Sequence, residues 1–258
     1  MSVNEPQRIT SRDNALLKDL RRLAQGNGEY RKQGRVWIEG DHLCSAALLR
    51  GWRPALAVFS ESYWPLATAH IAQAATKNVV IDDALMKTIS DLPSPAPMAF
   101  LLDLPAAPTL DVQAPTVVLD RVQDAGNVGS ILRSAAAFGF AQVVAIKGTA
   151  LLWSPKVLRA GMGSHFGLRL VEGLVADDLA ALQVPLLVTS SHEGEWLHRA
   201  ALPWPCAWVL GHEGQGVDAA LAARAAHAVR IAQPGGEESL NVAAAAAICL
   251  HASGVSRA

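Results

Sequence analysis

Three glycine-containing loops carry the polar residues whose types and spacing could do chemistry. The first loop follows an apolar run at residues 116–119 and holds Asn127 and Arg133. We expect Asn127 to cap the helix that follows, and Arg133, six residues further on, to point along roughly the same side of that helix. An amide and a guanidinium placed in this way can hold a polar or anionic substrate. The structural alternative is an ordinary capped helix in which Arg133 pairs with Asp120 or Asp124.

The second loop follows an apolar run at residues 207–210 and reads Gly-His-Glu-Gly-Gln-Gly over residues 211–216. Its three glycines let the backbone approach a ligand closely, and Glu213 lies inside that bend. The loop does not match the G-x-G-x-x-G pattern of dinucleotide-binding folds. The alternative is a plain strand-to-helix turn, with Asp218 capping the next helix.

The third loop follows an apolar run at residues 229–232 and leads through Ser239 and Asn241 into an alanine-rich helix. We expect Ser239 to cap this helix and Asn241 to lie in its first turn, with the amide on the ligand side. Small residues at 243–247 permit close packing of the helix, either on the sheet or across a subunit interface. Three such loops at strand ends indicate an adenosine-type or other nucleotide-like ligand.

The elements that must position these loops form a regular pattern in the second half of the chain. Short apolar runs alternate with helical segments, which predicts strands joined by helices in a parallel sheet. In such a sheet the carboxyl ends of the strands meet at one edge, where ligands bind, so we expect the three loops to lie together. The predicted strands lie at residues 116–119, 143–146, 186–189, 207–210 and 229–232.

The first half of the chain also alternates helical and strand-like segments, so both halves belong to the α/β class. Helices are predicted at residues 14–24 and 41–50, and we expect Ser11 or Asp13 to cap the first of them. Strands are predicted at residues 35–38, 56–59, 79–81 and 99–104.

A proline-rich stretch separates the two halves. Prolines are concentrated between residues 93 and 115, where they remove backbone donors and disfavour helix. We therefore assign residues 1–105 to a first domain, residues 106–114 to a linker and residues 115–258 to a second domain.

The composition of the 258 residues is that of a globular chain with a large core. Hydrophobic residues make up 51% and charged residues 17%, with a mean hydropathy of +0.21 and a net charge of -1, which excludes a disordered chain or a wholly basic coat protein. No apolar run approaches the ~20 residues of a membrane span, and the polar N-terminus does not resemble a signal peptide. We expect Cys44, Cys206 and Cys249 to be reduced core residues of a cytoplasmic protein. The eight histidines show no metal-ligand spacing, so no metal is expected.

Basic residues are concentrated near the start of the chain. Residues 1–53 contain ten basic and six acidic side chains. One interpretation is a solvated helix face, and the other is a surface that contacts phosphates. The candidates for the second interpretation are Arg8, Arg12, Arg21, Arg22 and Arg35.

In order and spacing, the three loops resemble the signature motifs of the SpoU (TrmH) family of RNA ribose 2′-O-methyltransferases, in the SPOUT superfamily. The segment at residues 154–166 resembles the family as well, and residues 9–14 and 35–40 more weakly resemble the start of an L30e-like RNA-binding domain. The residues that match the motifs are Asn127, Gly129 and Arg133 in the first, Gly211, Glu213, Gly214 and Gly216 in the second, and residues 239–242 in the third.

Two positions depart from the family pattern. Ala125 stands where many members have proline, and Ile231-Ala232-Gln233 stands where many have Ile-Pro-Met. Neither departure removes a side chain of the three motifs, so the resemblance still implies an active enzyme.

The resemblance implies an L30e-like α/β domain followed by a SPOUT domain with a parallel sheet and a trefoil knot. It implies a homodimer, and S-adenosylmethionine (SAM) as the cofactor, bound by Gly211, Ile231 and Leu240. It favours the phosphate-contacting interpretation of the basic cluster, so the five arginines become candidate RNA contacts. The catalytic residues that it implies are Arg133, Asn127, Glu213, Ser239 and Asn241.

The expected substrate is structured RNA, because a 2′-hydroxyl distinguishes RNA from DNA. The resemblance of the first domain favours ribosomal RNA of the 23S type. Three alternatives remain open at this point. They are a tRNA ribose methyltransferase, a base-methylating SPOUT enzyme, and a non-catalytic RNA-binding or ribosome-assembly protein of the same fold.

Overall fold

The computed structural model of the chain describes residues 5–190, 193–235 and 239–255. The chain divides into two compact units. The first unit comprises Met1–Ala106 and Trp153–Phe166, and the second comprises Ala107–Leu152 and Gly167–Ala258. Residues 153–166 thus pack with the first unit, although they come after residue 115 in the chain. The domain boundaries assigned from the sequence stay a prediction.

Strands and helices alternate through most of the described chain. The strands are β1 (Gln7–Ile9), β2 (Arg35–Glu39), β3 (Leu56–Ser60), β4 (Asn78–Ile81), β5 (Met98–Asp103), β6 (Thr116–Leu119), β7 (Gln142–Ile146), β8 (Arg169–Leu174), β9 (Leu186–Thr189), β10 (Glu195–Trp196), β11 (Ala207–Leu210) and β12 (His227–Arg230). The helices are α1 (Ala15–Gln25), α2 (Glu29–Gln33), α3 (Asp41–Leu49), α4 (Ala69–Ala72), α5 (Asp83–Ile89), α6 (Ala125–Ala137), α7 (Pro155–Gly161), α8 (Ala219–Ala223) and α9 (Val242–Val255). Short 3-10 helices lie at Trp64–Leu66, Ser164–Gly167 and Ala176–Ala181.

The first unit is built on a mixed sheet of five strands in the order β1-β4-β3-β5-β2. Strands β1 and β3 run parallel to β4, whereas β5 runs antiparallel to both β3 and β2. Helix α1 packs on this sheet through Leu17, Leu20 and Leu23, which recur at helical spacing and are buried. The helices and strands predicted for this half are confirmed, with small shifts at their ends.

The cap predicted for α1 was wrong. The Asn14 side chain, not Ser11 or Asp13, accepts the backbone hydrogen bond of Leu16 at 2.9 Å. Ser11 lies one turn earlier and accepts from the Asp13 backbone at 3.3 Å. Several residues that favour caps follow one another here, so only the geometry of the turn selects Asn14.

The second unit is built on seven parallel strands in the order β10-β12-β9-β11-β6-β7-β8, as the alternating pattern predicted. Its core contains Val118, Val144, Val188 and Val209 from four neighbouring strands. All five predicted strands are present, although β12 begins and ends two residues before the predicted run at 229–232. The trefoil knot that the family resemblance implies stays a prediction.

Two strands of the second unit were not predicted. Strand β8 carries a glutamate and a glycine, which interrupt its apolar run, and β10 has only two residues. Both lie at the outer edges of the sheet, where less of each strand is covered and the apolar pattern is weaker.

Cys44, Cys206 and Cys249 are buried with free thiols, as predicted, and burial raises their pKa values well above the ordinary range. Among the helices of the described residues, none is both long and apolar enough to cross a lipid bilayer.

Candidate active site at the carboxyl ends of the parallel strands

A cavity of about 540 Å³ opens where β9, β11 and β12 end. Its volume lies within the range of about 300–1,000 Å³ that is typical of small-molecule sites. Gly211, Ile231 and Leu240, the three residues predicted to bind a cofactor, all line it. Glu213, Ser239 and Asn241 line it as well, so the second and third loops meet here.

The glycine-rich second loop closes on itself beside the cavity. A Cβ atom at Gly211 would overlap the backbone of Gly216, so only glycine fits at that position. The backbones of His212 and Gly216 exchange two hydrogen bonds of 3.0 and 2.8 Å. The Nδ1 atom of His212 accepts from the backbones of Gly214 at 2.9 Å and Gln215 at 3.2 Å. These contacts fix a tight turn, and the role of His212 within it was not predicted from the sequence.

Glu213 joins this turn to the first loop. Its carboxylate accepts hydrogen bonds from the backbones of Gln123 at 3.2 Å and Asp124 at 3.1 Å, and from the Asn127 side chain at 3.1 Å. Burial alone would raise the pKa of Glu213, but the hydrogen bonds from these donors outweigh it and lower the pKa. The carboxylate is therefore ionised at neutral pH and acts as an acceptor for three donors.

Asn241 joins the first loop to the third. Its side-chain amide donates to the Asn127 Oδ1 atom at 3.0 Å. Its own Oδ1 atom accepts from the backbones of Ala243 at 2.9 Å and Ala244 at 3.3 Å, which makes Asn241 the cap of α9. The prediction that Ser239 caps this helix was wrong, because Asn241 directly precedes the first turn. A continuous hydrogen-bond chain, from Glu213 through Asn127 to Asn241, thus links all three loops.

Helix α6 begins differently from the prediction. Asp124, not Asn127, is its cap, because the Asp124 carboxylate accepts from the Asn127 backbone at 2.7 Å. This leaves the side chain of Asn127 free to face Glu213 and Asn241.

Arg133 lies apart from the hydrogen-bond chain. Six residues correspond to about 600° of helical rotation, which places Arg133 about 120° round α6 from Asn127. The expectation that the two side chains point along the same side of the helix was therefore wrong. Arg133 is exposed, and within the described residues its guanidinium has neither a hydrogen bond nor an ion pair. Arg133 therefore does not form the ion pair with Asp120 or Asp124 that the sequence left open as an alternative. Its guanidinium is open to an external anion.

A second arginine, which the sequence did not single out, lies at the end of β6. Arg121 donates through Nε and Nη2 to both carboxylate oxygens of Asp120, at 2.9 and 3.1 Å, and through Nη1 to Gln215 at 3.0 Å. Asp120 is only 2% exposed and also accepts from the Asp218 backbone at 2.7 Å. The hydrogen bond and charge of Asp120 raise the pKa of Arg121. Through Gln215 and the Asp218 backbone, this pair holds the C-terminal end of the turn at residues 211–216.

The backbone of Arg121 has a φ of 59°, in the left-handed region that side chains other than glycine rarely adopt. Its backbone N–H donates to the Thr149 hydroxyl at 3.1 Å, and that hydroxyl donates to the Leu119 carbonyl at 2.9 Å. These contacts hold the strained conformation in place.

The basic cluster of the first unit is largely engaged in contacts within the chain. Arg8 pairs with Glu61 at 2.6 Å, Arg22 with Asp19 at 3.2 Å and Arg35 with Asp103 at 2.7 Å. Arg21 donates to the Thr88 carbonyl at 2.9 Å and to the Thr88 hydroxyl at 3.0 Å. Of the five candidates, Arg12 alone has no such partner among the described residues. Their role in RNA binding stays a prediction.

The cavity wall fits SAM. Gln233 lines the cavity, and its Oε1 atom is buried without a hydrogen-bond partner in the described part of the chain. SAM carries N–H and O–H donors on its adenine, ribose and amino-acid groups, and any of them would satisfy such an oxygen. Leu240 adds an apolar side chain to the cavity wall, and Gly211, which has no side chain, leaves its backbone groups open to a ligand. Among the described residues, no cluster of three or more His, Cys, Asp and Glu could hold a metal ion.

Both halves of the chain match known families. Residues 114–251 match the SpoU rRNA Methylase family, and residues 14–99 match the MRM3-like substrate binding domain. The 23S rRNA (guanosine(2553)-2′-O)-methyltransferase RlmP of Bacillus subtilis is 30% identical over 249 residues, which cover 95% of this chain and 98% of that protein.

Solved structures of similar fold cover nearly the whole chain. An AdoMet-bound rRNA methyltransferase from Sinorhizobium meliloti has a TM-score of 0.83 and 26% identity, covering 96% of this chain and 97% of that chain. An RNA 2′-O ribose methyltransferase has a TM-score of 0.78 and 30% identity, covering 97% of this chain and 99% of that chain. The second and third motifs line one cavity, and hydrogen bonds join Asn127 of the first motif to both of them. Because the family match extends over more than half of its length, the chain belongs to the SpoU rRNA methylase family.

Proposed function

We propose that this chain is a cytoplasmic enzyme that transfers a methyl group from SAM to a ribose 2′-hydroxyl of ribosomal RNA. The observation that carries the proposal is the hydrogen-bond chain from Glu213 through Asn127 to Asn241, which joins the three motif loops beside the cavity. The relative from Bacillus subtilis, which is named for 2′-O-methylation of 23S rRNA, supports ribosomal RNA as the substrate.

The cofactor is held by the walls of the cavity. Gly211 and Ile231 contribute from the ends of β11 and β12, and Leu240 contributes from the loop before α9. When bound, SAM supplies a methyl group on a sulfonium, which an oxygen nucleophile can attack. The Asp120–Arg121 pair acts indirectly, because it holds the C-terminal end of the turn whose glycines line the cavity.

The nucleophile needs help because an alcohol is weakly reactive until its proton is weakened or removed. Because the guanidinium of an arginine is a poor proton acceptor in proteins, we assign Arg133 the role of holding a backbone phosphate and stabilising negative charge that develops on the 2′-oxygen. The hydroxyl proton then passes to solvent water. Its guanidinium is exposed and has no partner among the described residues, as a group that contacts RNA requires. An Arg133→Lys variant should lose most of its turnover and keep its affinity for SAM.

The polar residues of the loops orient the reacting groups. Glu213 is ionised and holds the Asn127 amide, which in turn accepts from Asn241. With their side chains fixed, Asn127 and Asn241 can direct hydrogen bonds to the ribose, and Ser239 adds a hydroxyl at the cavity wall. Fixed donors and acceptors lower the barrier because they need no rearrangement as the reaction proceeds.

We also propose that the enzyme is a homodimer. Helix α9 is apolar on all sides, and a helix of this kind is normally covered on more than one face. One face packs within the second unit through Ala246, Cys249 and Leu250. The opposite face is exposed, with Ile248 at 41% and Val255 at 53%, so a second copy of the chain is the occupant that we propose.

The proposed reaction is tested by incubating the protein and labelled SAM with total RNA from a strain that lacks it. We expect label in the large ribosomal RNA after fractionation by size. Label in tRNA would instead establish the tRNA alternative. No label in any fraction, together with no binding of SAM by calorimetry, would contradict the proposal and favour a non-catalytic RNA-binding protein.

A further inference from the structure

An aromatic cluster in the first unit joins the turn after α3 to the segment at residues 153–166. The ring centroids of Trp52 and Trp153 lie 5.8 Å apart, and those of Trp52 and Phe166 lie 5.4 Å apart. The Trp52 Nε1 atom donates to the Phe166 carbonyl at 3.3 Å. Tilted and edge-on ring contacts and a hydrogen bond therefore hold these two distant parts of the chain together.

Four basic residues flank this aromatic cluster. Arg50 and Arg53 lie on either side of Trp52, and Lys156 and Arg159 follow Trp153 on α7. None of the four side chains has an ion pair or hydrogen bond to any residue that the structure describes. Residues 45–60 and 153–166 contain no carboxylate, so nothing within these two segments neutralises the four charges.

The arginines of the N-terminal cluster are in the opposite situation. Arg8, Arg22 and Arg35 each lie within 3.2 Å of a carboxylate oxygen of this chain. An approaching phosphate would compete with that carboxylate and would gain little from a charge that is already balanced. The four basic residues beside the aromatic cluster thus lack the carboxylate partner that Arg8, Arg22 and Arg35 each have.

Exposed apolar side chains lie in the same two segments. Leu49 is 86% exposed, and Met162, at the end of α7, is 44% exposed. Unpaired cations beside exposed apolar side chains suit RNA loops and single strands, whose phosphates and unstacked bases are both accessible.

We propose that Arg50, Arg53, Lys156 and Arg159 form the surface of the first unit that binds the phosphate backbone of the RNA substrate. We call these four residues the Trp52 surface. The inference rests on the proposed function, and it moves the RNA contacts of this unit away from Arg8, Arg22 and Arg35. The ligand class is polyanionic RNA, recognised through its phosphates independently of base sequence.

The test compares RNA affinity at several salt concentrations, because each phosphate contact releases counterions and steepens the dependence. Loss of one contact lowers the slope of log affinity against log salt by about 1. The probe is an unmodified in vitro transcript of 23S rRNA, measured by filter binding. The variants R50A/R53A and K156A/R159A should each lower the slope by about 2. At about 0.1 M salt, that change corresponds to a loss of affinity on the order of 100-fold.

The matched control is R8A/R22A, which removes the same number of arginines from ion pairs and should change the slope by less than about 1. The variant R50K/R53K should retain the slope, because a lysine also supplies a charge for a phosphate. An unchanged slope in both test variants, or an equal loss in the control, would overturn the inference.

SAM affinity, measured by calorimetry, separates the two proposals. It should be unchanged in every variant, because the cavity lies in the second unit. The wild-type protein could methylate ribosomal RNA while the test variants keep the wild-type slope of log affinity against log salt. The proposal that the Trp52 surface binds RNA would then be wrong, and the proposed function would stand. If the wild-type protein binds RNA with the expected slopes but transfers no methyl group, the proposed function is wrong and the surface stands.

Discussion

Replacing Arg121 by alanine should destabilise the second unit, because it leaves the buried carboxylate of Asp120 without its cation. The Asp120 side chain is 2% exposed and that of Arg121 is 30% exposed. Both oxygens of Asp120 accept from Arg121, and one also accepts from the Asp218 backbone. After the substitution only the Asp218 bond remains among these contacts, and Gln215 loses its link to the end of β6.

The size of the effect follows from this burial. Removing one partner of a fully buried ion pair costs about 3–5 kcal/mol. Partial exposure of Arg121 lets water screen the remaining charge, so we expect the free energy of unfolding to fall by about 2–3 kcal/mol. The φ of 59° makes glycine and alanine differ at this position, because alanine keeps the left-handed strain of the wild type and glycine does not have it. The R121G variant should therefore be about 1 kcal/mol more stable than R121A.

The assay is urea denaturation followed by circular dichroism, with SAM affinity measured in parallel. A D120N/R121A double variant is the decisive control, because it removes the uncompensated charge and keeps an acceptor for the Asp218 backbone. It should be more stable than R121A alone by at least about 1 kcal/mol. The reasoning fails if R121A loses less than about 0.5 kcal/mol, or if the double variant is the less stable of the two.

Three further predictions concern the cavity, the hydrogen-bond chain and the dimer. Replacing Gln233 by methionine removes one hydrogen bond to the cofactor, worth about 1.4 kcal/mol, and should weaken SAM binding about tenfold in calorimetry. Equal affinity of the variant and the wild type would show that the buried oxygen of Gln233 does not contact the cofactor. The lowered pKa of Glu213 means that its carboxylate stabilises the fold above its ordinary pKa of 4.5, and that this contribution is lost as the pH falls through the lowered value. An E213Q variant should therefore show a smaller loss of thermal stability between pH 6 and pH 3 than the wild type, and an identical profile would contradict the role of this carboxylate. Replacing Ile248 by glutamate should convert the proposed dimer to a monomer in light scattering, whereas the same change at Leu66, which is 72% exposed in the first unit, should not.

Much of the second unit could be predicted from its sequence because its strands are buried on both faces. Continuous apolar runs such as residues 116–119 and 207–210 are typical of strands covered on both sides, and both form strands with those bounds. Parallel strands then bring their carboxyl ends together, which is why the second and third loops line one cavity and the first loop reaches them by hydrogen bonds.

The helix caps could not be assigned in the same way. Asp124 and Asn127 lie three residues apart, and Ser239 and Asn241 lie two apart, and all four are residue types that favour caps. Which of them accepts the free backbone N–H groups depends on where the chain turns out of the preceding loop.

The role of Arg121 was hidden for a different reason. Its contacts join residues up to 94 positions apart in the sequence. Arginine normally avoids the left-handed backbone conformation, so the local sequence gives no sign that Arg121 adopts it. The buried oxygen of Gln233 is likewise a property of the assembled cavity, although the departure from the family pattern at that position could have drawn attention to it.

The chemical position of the transferred methyl group tests the central claim most directly. Unmodified 23S rRNA is labelled by the wild-type protein with SAM and then hydrolysed with alkali, which cannot cleave next to a 2′-O-methylated ribose. We predict that the label remains in an alkali-resistant dinucleotide, and that Arg133→Lys abolishes it without changing SAM affinity. Label recovered in single nucleotides would place the methyl group on a base and contradict the account.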